Sequence, residues 1–316
     1  MKKKLVKVLI IILAVIAALS LIGSVLMGGY VADRILHQNE GKDTHDNSIK
    51  QLEVWGYDLE GFIAENEGRD ISAVAEDGNV VPGNYYENGS DRCVILVHGA
   101  GGDRYCMAPL VEKFLGLGYD VIAIDQRGSG VNPDDRVTFG INESLDVKAM
   151  VKLARVELGY DKVIVHGQSM GGQTVAIYAA NVTPGTAEAA DAVILDSPVP
   201  GMELVLKEMF GDGDVDSFMA RYLTGTSKLY MRLAYGIDYD DGDTIALAAN
   251  IEIPTLVIVS DRDQVCLPEQ VEQIYDNISG VDKEIAHFDS AHIEGVIDYP
   301  EEYMNTVENF LSGALN

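Results

Sequence analysis

Residues 163–166 form a short β-branched run that leads into Gly167-Gln168-Ser169-Met170-Gly171-Gly172, and an apolar helical pattern follows. A G-x-S-x-G turn between a strand and a helix folds so tightly that the serine hydroxyl stands above the sheet. That hydroxyl is a poor nucleophile at neutral pH unless an imidazole takes its proton and a carboxylate orients the imidazole. The chain order to look for is serine, acid, histidine. Two acids follow the run 255–259, in Ser260-Asp261-Arg262-Asp263. Asp263 lies far enough past the strand to reach sideways and is the expected acid. Asp261 reads as a turn residue, since Asp is a common turn former, and Asp196 ranks behind both. His292 follows the last strand, in His287-Phe288-Asp289-Ser290-Ala291-His292, and is the expected base, because loops after strands carry catalytic groups. His287 belongs to that strand and reads as a packed or half-exposed core residue, and His166 reads as packing beneath the serine.

A serine attacking a carbonyl also needs donors for the oxyanion. The N–H of Met170 sits at a helix start, where partial positive charge favours an anion. The second expected donor is the N–H of Ala100, in His98-Gly99-Ala100-Gly101-Gly102, whose glycines let the backbone approach a substrate closely. His98 reads as a structural residue of that turn. Arg127, in Asp125-Gln126-Arg127-Gly128-Ser129-Gly130, is expected to brace a loop by binding carbonyls or a carboxylate.

These residues need strand ends to hold them. Strands are expected at 71–75 and 80–86, joined as a hairpin by Asp77-Gly78, and at 93–97, 121–124, 163–165, 192–195, 255–259 and 284–288. Helical patterns lie near 107–115, 143–158, 170–181, 268–278 and 300–311. This alternation implies βαβ units and a parallel sheet with helices on both faces, preceded by an antiparallel hairpin. The interval 199–252 is too long for a simple loop. Its helical apolar spacing (Met202, Leu206, Met209; then Phe218, Tyr222, Leu229, Leu233) suggests a helical insertion over the sheet's carboxyl edge, a candidate lid.

Over roughly residues 70–315 the chain resembles the α/β-hydrolase superfamily. The residues that carry the likeness are H-G-A-G-G at 98–102, D-Q-R-G-S-G at 125–130, G-Q-S-M-G-G at 167–172, S-D-R-D at 260–263 and His292. The set looks most like bacterial membrane-anchored, cell-surface-type serine hydrolases with prolyl-oligopeptidase or dienelactone-hydrolase affinities. The resemblance implies a doubly wound, mostly parallel eight-stranded α/β sheet with the helical lid insertion. It also implies Ser169 as nucleophile, Asp263 as acid, His292 as base, and Ala100 and Met170 as oxyanion donors. Ala100 departs from lipases with a full H-G-G-G signature, which argues against bulky tertiary-alcohol esters. Ser169 argues against dehalogenase and epoxide-hydrolase chemistry, which needs a carboxylate nucleophile. The expected activity is hydrolysis of ester or thioester bonds of small or acyl substrates through an acyl-enzyme, with no cofactor and no metal. A peptidase or amidase using the same triad, and a surface binding module of the same fold, are the alternatives.

The 316 residues carry 23 Lys+Arg against 50 Asp+Glu, a net charge of −27, which repels a phosphate backbone and argues against nucleic acid as a partner. The three cysteines, Cys93, Cys106 and Cys266, are too few and too scattered for a disulfide framework or a zinc site. Lys2, Lys3, Lys4 and Lys7 precede residues 8–32, which contain no charged side chain. About 20 such residues cross a hydrocarbon core roughly 30 Å thick, so residues 1–32 read as a basic tip and single-pass signal anchor. The lysines place the N-terminus in the cytosol and the catalytic domain outside the cell membrane. Cleavage of the segment as a signal peptide would instead secrete the domain. Residues 33–50 read as a polar linker with His37 and His45 solvated in or beside it, and residues 51–316 as the hydrolase domain with its insertion at 199–252. The oligomeric state is left open.

Overall fold

The computed structural model describes residues 2–212, 214–280 and 282–315. Its helices are α1 (Lys2–Leu36), α2 (Thr44–Val54), α3 (Leu59–Glu65), α4 (Ala108–Gly116), α5 (Glu143–Lys152), α6 (Met170–Ala180), α7 (Met202–Gly211), α8 (Phe218–Ala234), α9 (Thr244–Leu247), α10 (Pro268–Asn277), α11 (Gly295–Asp298) and α12 (Pro300–Ala314). The strands are β1 (Arg69–Val74), β2 (Val80–Tyr86), β3 (Arg92–Val97), β4 (Asp120–Ile124), β5 (Lys162–Gln168), β6 (Ala192–Asp196), β7 (Thr255–Ser260) and β8 (Lys283–Phe288). The chain divides into two units, a body of His37–Met202 with Asp241–Asn316 and a small helical unit of Met1–Leu36 with Glu203–Asp240.

In the body the eight strands make one sheet in the order β1-β2-β4-β3-β5-β6-β7-β8. β2 runs antiparallel to β1 and β4, and every other pairing is parallel. β4, β6 and β7 are buried along their whole length, and β3 and β5 at all but their first residue. This is why they read as unbroken apolar runs rather than alternating ones: a parallel sheet hides both faces under helices. On one face Leu96, Ile164, Ile194 and Ile258 pack with Phe114 of α4 and Tyr303, Val307 and Phe310 of α12. The alternate residues Ile95, Val165 and Val193 are equally buried, with α5 and α6 packed on the sheet. Each large aliphatic or aromatic side chain so buried contributes about 1.5–3 kcal/mol. The chain passes from β3 to β4 on one side and returns to β5 on the other. This reversal opens a crevice at the carboxyl ends of β3 and β5, where open α/β sheets bind ligands.

Arg127 ties the edge hairpin to this arrangement. It is 1% exposed and forms two-pronged pairs with Asp77 in the hairpin turn (2.6 and 3.0 Å) and with Asp146 of α5 (2.7 and 3.0 Å). The guanidinium holds the Asp77 carboxyl below the usual range, whereas burial pushes that of Asp146 up.

The stretch 37–50 differs from the expected solvated linker. Asp43 caps α2 by accepting the Asp46 N–H at 3.0 Å, and Lys50 pairs with Asp46 one turn apart. Ser48 and Leu52 are buried within the body, and His45 pairs with buried Asp103 at 2.8 Å. The helix forms on a cap, one apolar contact and polar bonds, so no apolar periodicity announces it.

In the small unit, α1 extends the uncharged run into one helix and crosses α8. A Cβ on Gly28 would lie 2.4 Å from the Thr226 carbonyl oxygen, so only glycine permits the crossing. Ser24 and Tyr222 share a hydrogen bond at 2.9 Å. Ala220, Thr224, Ser227 and Met231 of α8 are buried, and Lys228 bonds Glu203 of α7 at 2.8 Å. The interval 199–252 is helical as expected, but its two long helices cluster with α1, while its ends belong to the body.

The Arg127 hub gives a stability prediction. Arg127→Ala leaves the buried Asp146 carboxylate without its cation and frees Asp77 of the hairpin turn, and is expected to lower the unfolding free energy by about 3–5 kcal/mol. Guanidinium titration followed by circular dichroism at 222 nm measures it; a loss below about 1 kcal/mol would contradict the assignment.

Candidate active site

Ser169 stands at the end of β5, ahead of α6, with φ 57° and ψ −121°. A non-glycine residue held at positive φ costs about 1–3 kcal/mol, so the surroundings must impose it. They do so from three directions: the Ser169 N–H donates to the Asp196 carbonyl at 2.9 Å, and its own carbonyl accepts from Gln173 at 3.1 Å and Val199 at 3.3 Å. The flanking glycines are dictated by contact. A Cβ on Gly167 would meet the Gly171 carbonyl oxygen at 2.2 Å, and one on Gly171 would meet that of Val97 at 2.1 Å.

His292 and Asp263, expected as base and acid, come to this serine. His292 Nε2 lies 2.8 Å from Ser169 Oγ, and His292 Nδ1 lies 2.6 Å from Asp263 Oδ2. A carboxylate accepts only, so Nδ1 donates to Asp263 and Nε2 is left to accept the hydroxyl proton. The other Asp263 oxygen accepts the N–H groups of Val265 (2.8 Å) and Cys266 (2.9 Å), which fixes the carboxylate in the loop after β7. Asp263 has no exposed side-chain surface, and His292 is 19% exposed.

The competing residues lie elsewhere. Asp261 pairs with His287 at 2.8 Å, both substantially exposed, so His287 is a surface partner of an aspartate rather than a core residue. Asp196 is buried, accepts from Gln168 (2.9 Å) and Tyr303 (2.8 Å), and burial pushes its carboxyl up. His166 lies beneath the serine between Phe114 and Tyr303, 3.1 Å from the Tyr303 hydroxyl; burial pushes it down to about 3 and keeps it neutral.

The loop after β3 passes so close that a Cβ on Gly99 would lie 3.2 Å from Ser169 Cβ. Ala100 is exposed at its tip, and Met170 opens α6, where first-turn amides have no helical acceptor. His98 acts as a brace: Nδ1 donates to the Gly99 carbonyl at 2.7 Å and Nε2 accepts the Gln126 N–H at 3.0 Å. Gln126 in turn donates to the His98 carbonyl at 2.5 Å and accepts from Thr174 of α6 at 2.7 Å.

Sequence reasoning missed α2. Asn47 donates to the Gly101 carbonyl (3.0 Å), Ser48 Oγ accepts the Asp103 N–H (2.8 Å), and Trp55 donates to Glu294, two residues past His292, at 3.1 Å. One short helix thereby bonds the glycine-rich loop at one end and the histidine loop at the other. The signal was present in Asp43 with Asp46 three residues on, and in Gly56 as the stop.

A family model described as alpha/beta hydrolase fold matches residues 92–227. A thermostable monoacylglycerol lipase of a Bacillus species is 28% identical over 240 residues, 69% of this chain and 88% of that protein. An uncharacterised Bacillus subtilis protein, YqkD, is 23% identical over 96% of this chain and 97% of its own. Among solved structures, an esterase of Pyrococcus furiosus superposes with a TM-score of 0.63 at 25% identity, covering 81% of this chain and 94% of that one. A bacterial membrane phospholipase A shares the fold over 100% of both chains, with a TM-score of 0.55 and 18% identity.

The α2 contacts generate a prediction about loop order. In Ser48→Ala the Asp103 amide loses its acceptor, and hydrogen exchange there is expected to speed up about fivefold, the scale of one hydrogen bond worth about 1 kcal/mol. Mass spectrometry of peptides covering 98–106 reads this, with β7 peptides unchanged; equal exchange in both proteins would contradict the tether.

Proposed function

Because the chain belongs to the α/β-hydrolase superfamily, we propose that it is a serine hydrolase that cleaves carboxylic esters of acyl substrates through an acyl-enzyme. The observation that carries this reading is the His292 imidazole lying between Ser169 Oγ and Asp263 Oδ2, at 2.8 and 2.6 Å. In the proposed cycle Nε2 accepts the hydroxyl proton as Ser169 Oγ attacks the ester carbonyl. Asp263 holds the ring in the tautomer that can accept and stabilises the imidazolium that forms. The N–H groups of Met170 and Ala100 receive the developing oxyanion, each worth about 2.7–4 kcal/mol in comparable sites. The imidazolium returns its proton to the departing alkoxide, and water activated by the same ring then releases the acid and regenerates Ser169.

Esters rank above amides because the monoacylglycerol lipase and the Pyrococcus furiosus esterase are each matched over most of their lengths. α1 serves in this proposal as a single-pass anchor, with Lys3, Lys4 and Lys7 on the cytosolic side and the body outside. A run of hydropathy 3.0 with none of its most apolar window buried supports it.

Two predictions follow from the assigned roles. A fluorophosphonate probe is expected to label the wild type and not Ser169→Ala; a folded wild type that takes no label would remove the enzyme reading. On p-nitrophenyl esters Asp263→Asn is expected to lower kcat on the order of 10⁴-fold by inverting the tautomer. Asp261→Asn, which loses only an exposed pair, is expected to change it by less than about fivefold; equal losses in the two variants would contradict the choice of acid.

A further inference from the structure

The small helical unit contains a groove of about 260 Å³ between α1 and α8, and we infer that it seats an acyl chain of a membrane lipid, in the leaflet on the C-terminal side of α1. The inference rests on the proposed reading of α1 as a membrane span. Leu21 and Val25 of α1 face Leu229, Tyr230 and Leu233 of α8 across the groove. The wall carries three hydroxyls, and two of them are engaged within the unit: Ser24 with the Ser20 carbonyl and Tyr222, and Thr226 with the Tyr222 carbonyl at 2.8 Å; the third is the phenol of Tyr230. Apart from the Tyr230 hydroxyl the groove offers a ligand only apolar contact, which suits hydrocarbon and not a charged headgroup.

Depth along α1 points to the same occupant. The crossing at Gly28 lies five residues before Asp33, the first acid, and Leu21 lies twelve before it. At 1.5 Å per residue these positions are about 8 and 18 Å inside the charged end, a span from the outer part of one acyl-chain layer to just past the midplane of a core about 30 Å thick. α8 continues the apolar surface of α1. Phe218, Leu229 and Leu233 are 79%, 58% and 78% exposed, while Lys228 is drawn to Glu203 and Asp240 and Arg232 to Asp238. With Lys228 and Arg232 neutralised by these pairs, the apolar side of α8 is free to meet hydrocarbon beside α1.

The test uses the full chain reconstituted in phosphatidylglycerol and phosphatidylethanolamine vesicles, with an environment-sensitive fluorophore on Leu229→Cys or Leu233→Cys. Ile12→Cys in the N-terminal third of α1 and Glu308→Cys on the exposed side of α12 are the controls. The native thiols give little background, since Cys93 and Cys266 are buried and burial pushes Cys106 up to about 12. Lipids brominated along the acyl chain are expected to quench the probes at 229 and 233 at least half as strongly as the probe at 12, and to spare the probe at 308. Quenching at 229 and 233 no stronger than at 308, with 12 quenched, would overturn the groove assignment and leave the anchor standing. Self-quenching of the 233 probe that rises with protein-to-lipid ratio, without bromine quenching, would identify a second copy as the occupant and also overturn it. A probe at 12 that escapes quenching would remove the membrane span, and the groove assignment with it.

Discussion

The positive-φ backbone of Ser169 is the tightest constraint in the body. The residue can keep that conformation only because Asp196, Gln173 and Val199 hold its amide and carbonyl, and because Gly167 and Gly171 let strand, turn and helix touch at backbone distance. The cost of about 1–3 kcal/mol is small against the apolar burial in β3, β5, β6 and α6, which fixes where the turn must fall. Such a turn is tolerable only within a core that is already rigid, and the fully buried central strands supply one.

Polar groups beneath and beside the turn serve the same end. Tyr303 and Gln168 both donate to Asp196, and neutral His166 stacks on Tyr303, so the floor of the site is braced while its imidazole carries no charge. His98 and Gln126 lock the glycine-rich loop to the loop after β4, and Arg127 locks that second loop to α5 and the edge hairpin. Truncating any of these groups leaves its partners desolvated, a loss that reaches the site through geometry rather than through contact with a substrate.

The central strands were readable because fully buried parallel strands are continuous β-branched runs; all eight expected strands are present, with ends displaced by up to three residues. The serine turn was readable because its glycines answer a steric demand that few other folds impose. Between Asp261 and Asp263 the spacing alone gave a preference, and burial with two backbone donors distinguishes them. α2 escaped notice because Asn47, Ser48 and Trp55 act through polar bonds to distant loops, which leave no period in the sequence. The grouping of α7 and α8 with α1 was hidden for a related reason: the contact depends on Gly28 approaching a backbone carbonyl, and hydropathy does not record small size.

The indole of Trp55, the only one in the chain, donates to Glu294 in the loop that carries His292. Indole emission from the unlabelled protein, excited at the red edge of the band where the 15 tyrosines do not absorb, therefore originates at a single joint between the end of α2 and that loop. Spectral changes on adding a reversible ligand can be assigned to that joint without installing a reporter, and a stopped-flow trace would follow loop rearrangement in real time in the native polypeptide.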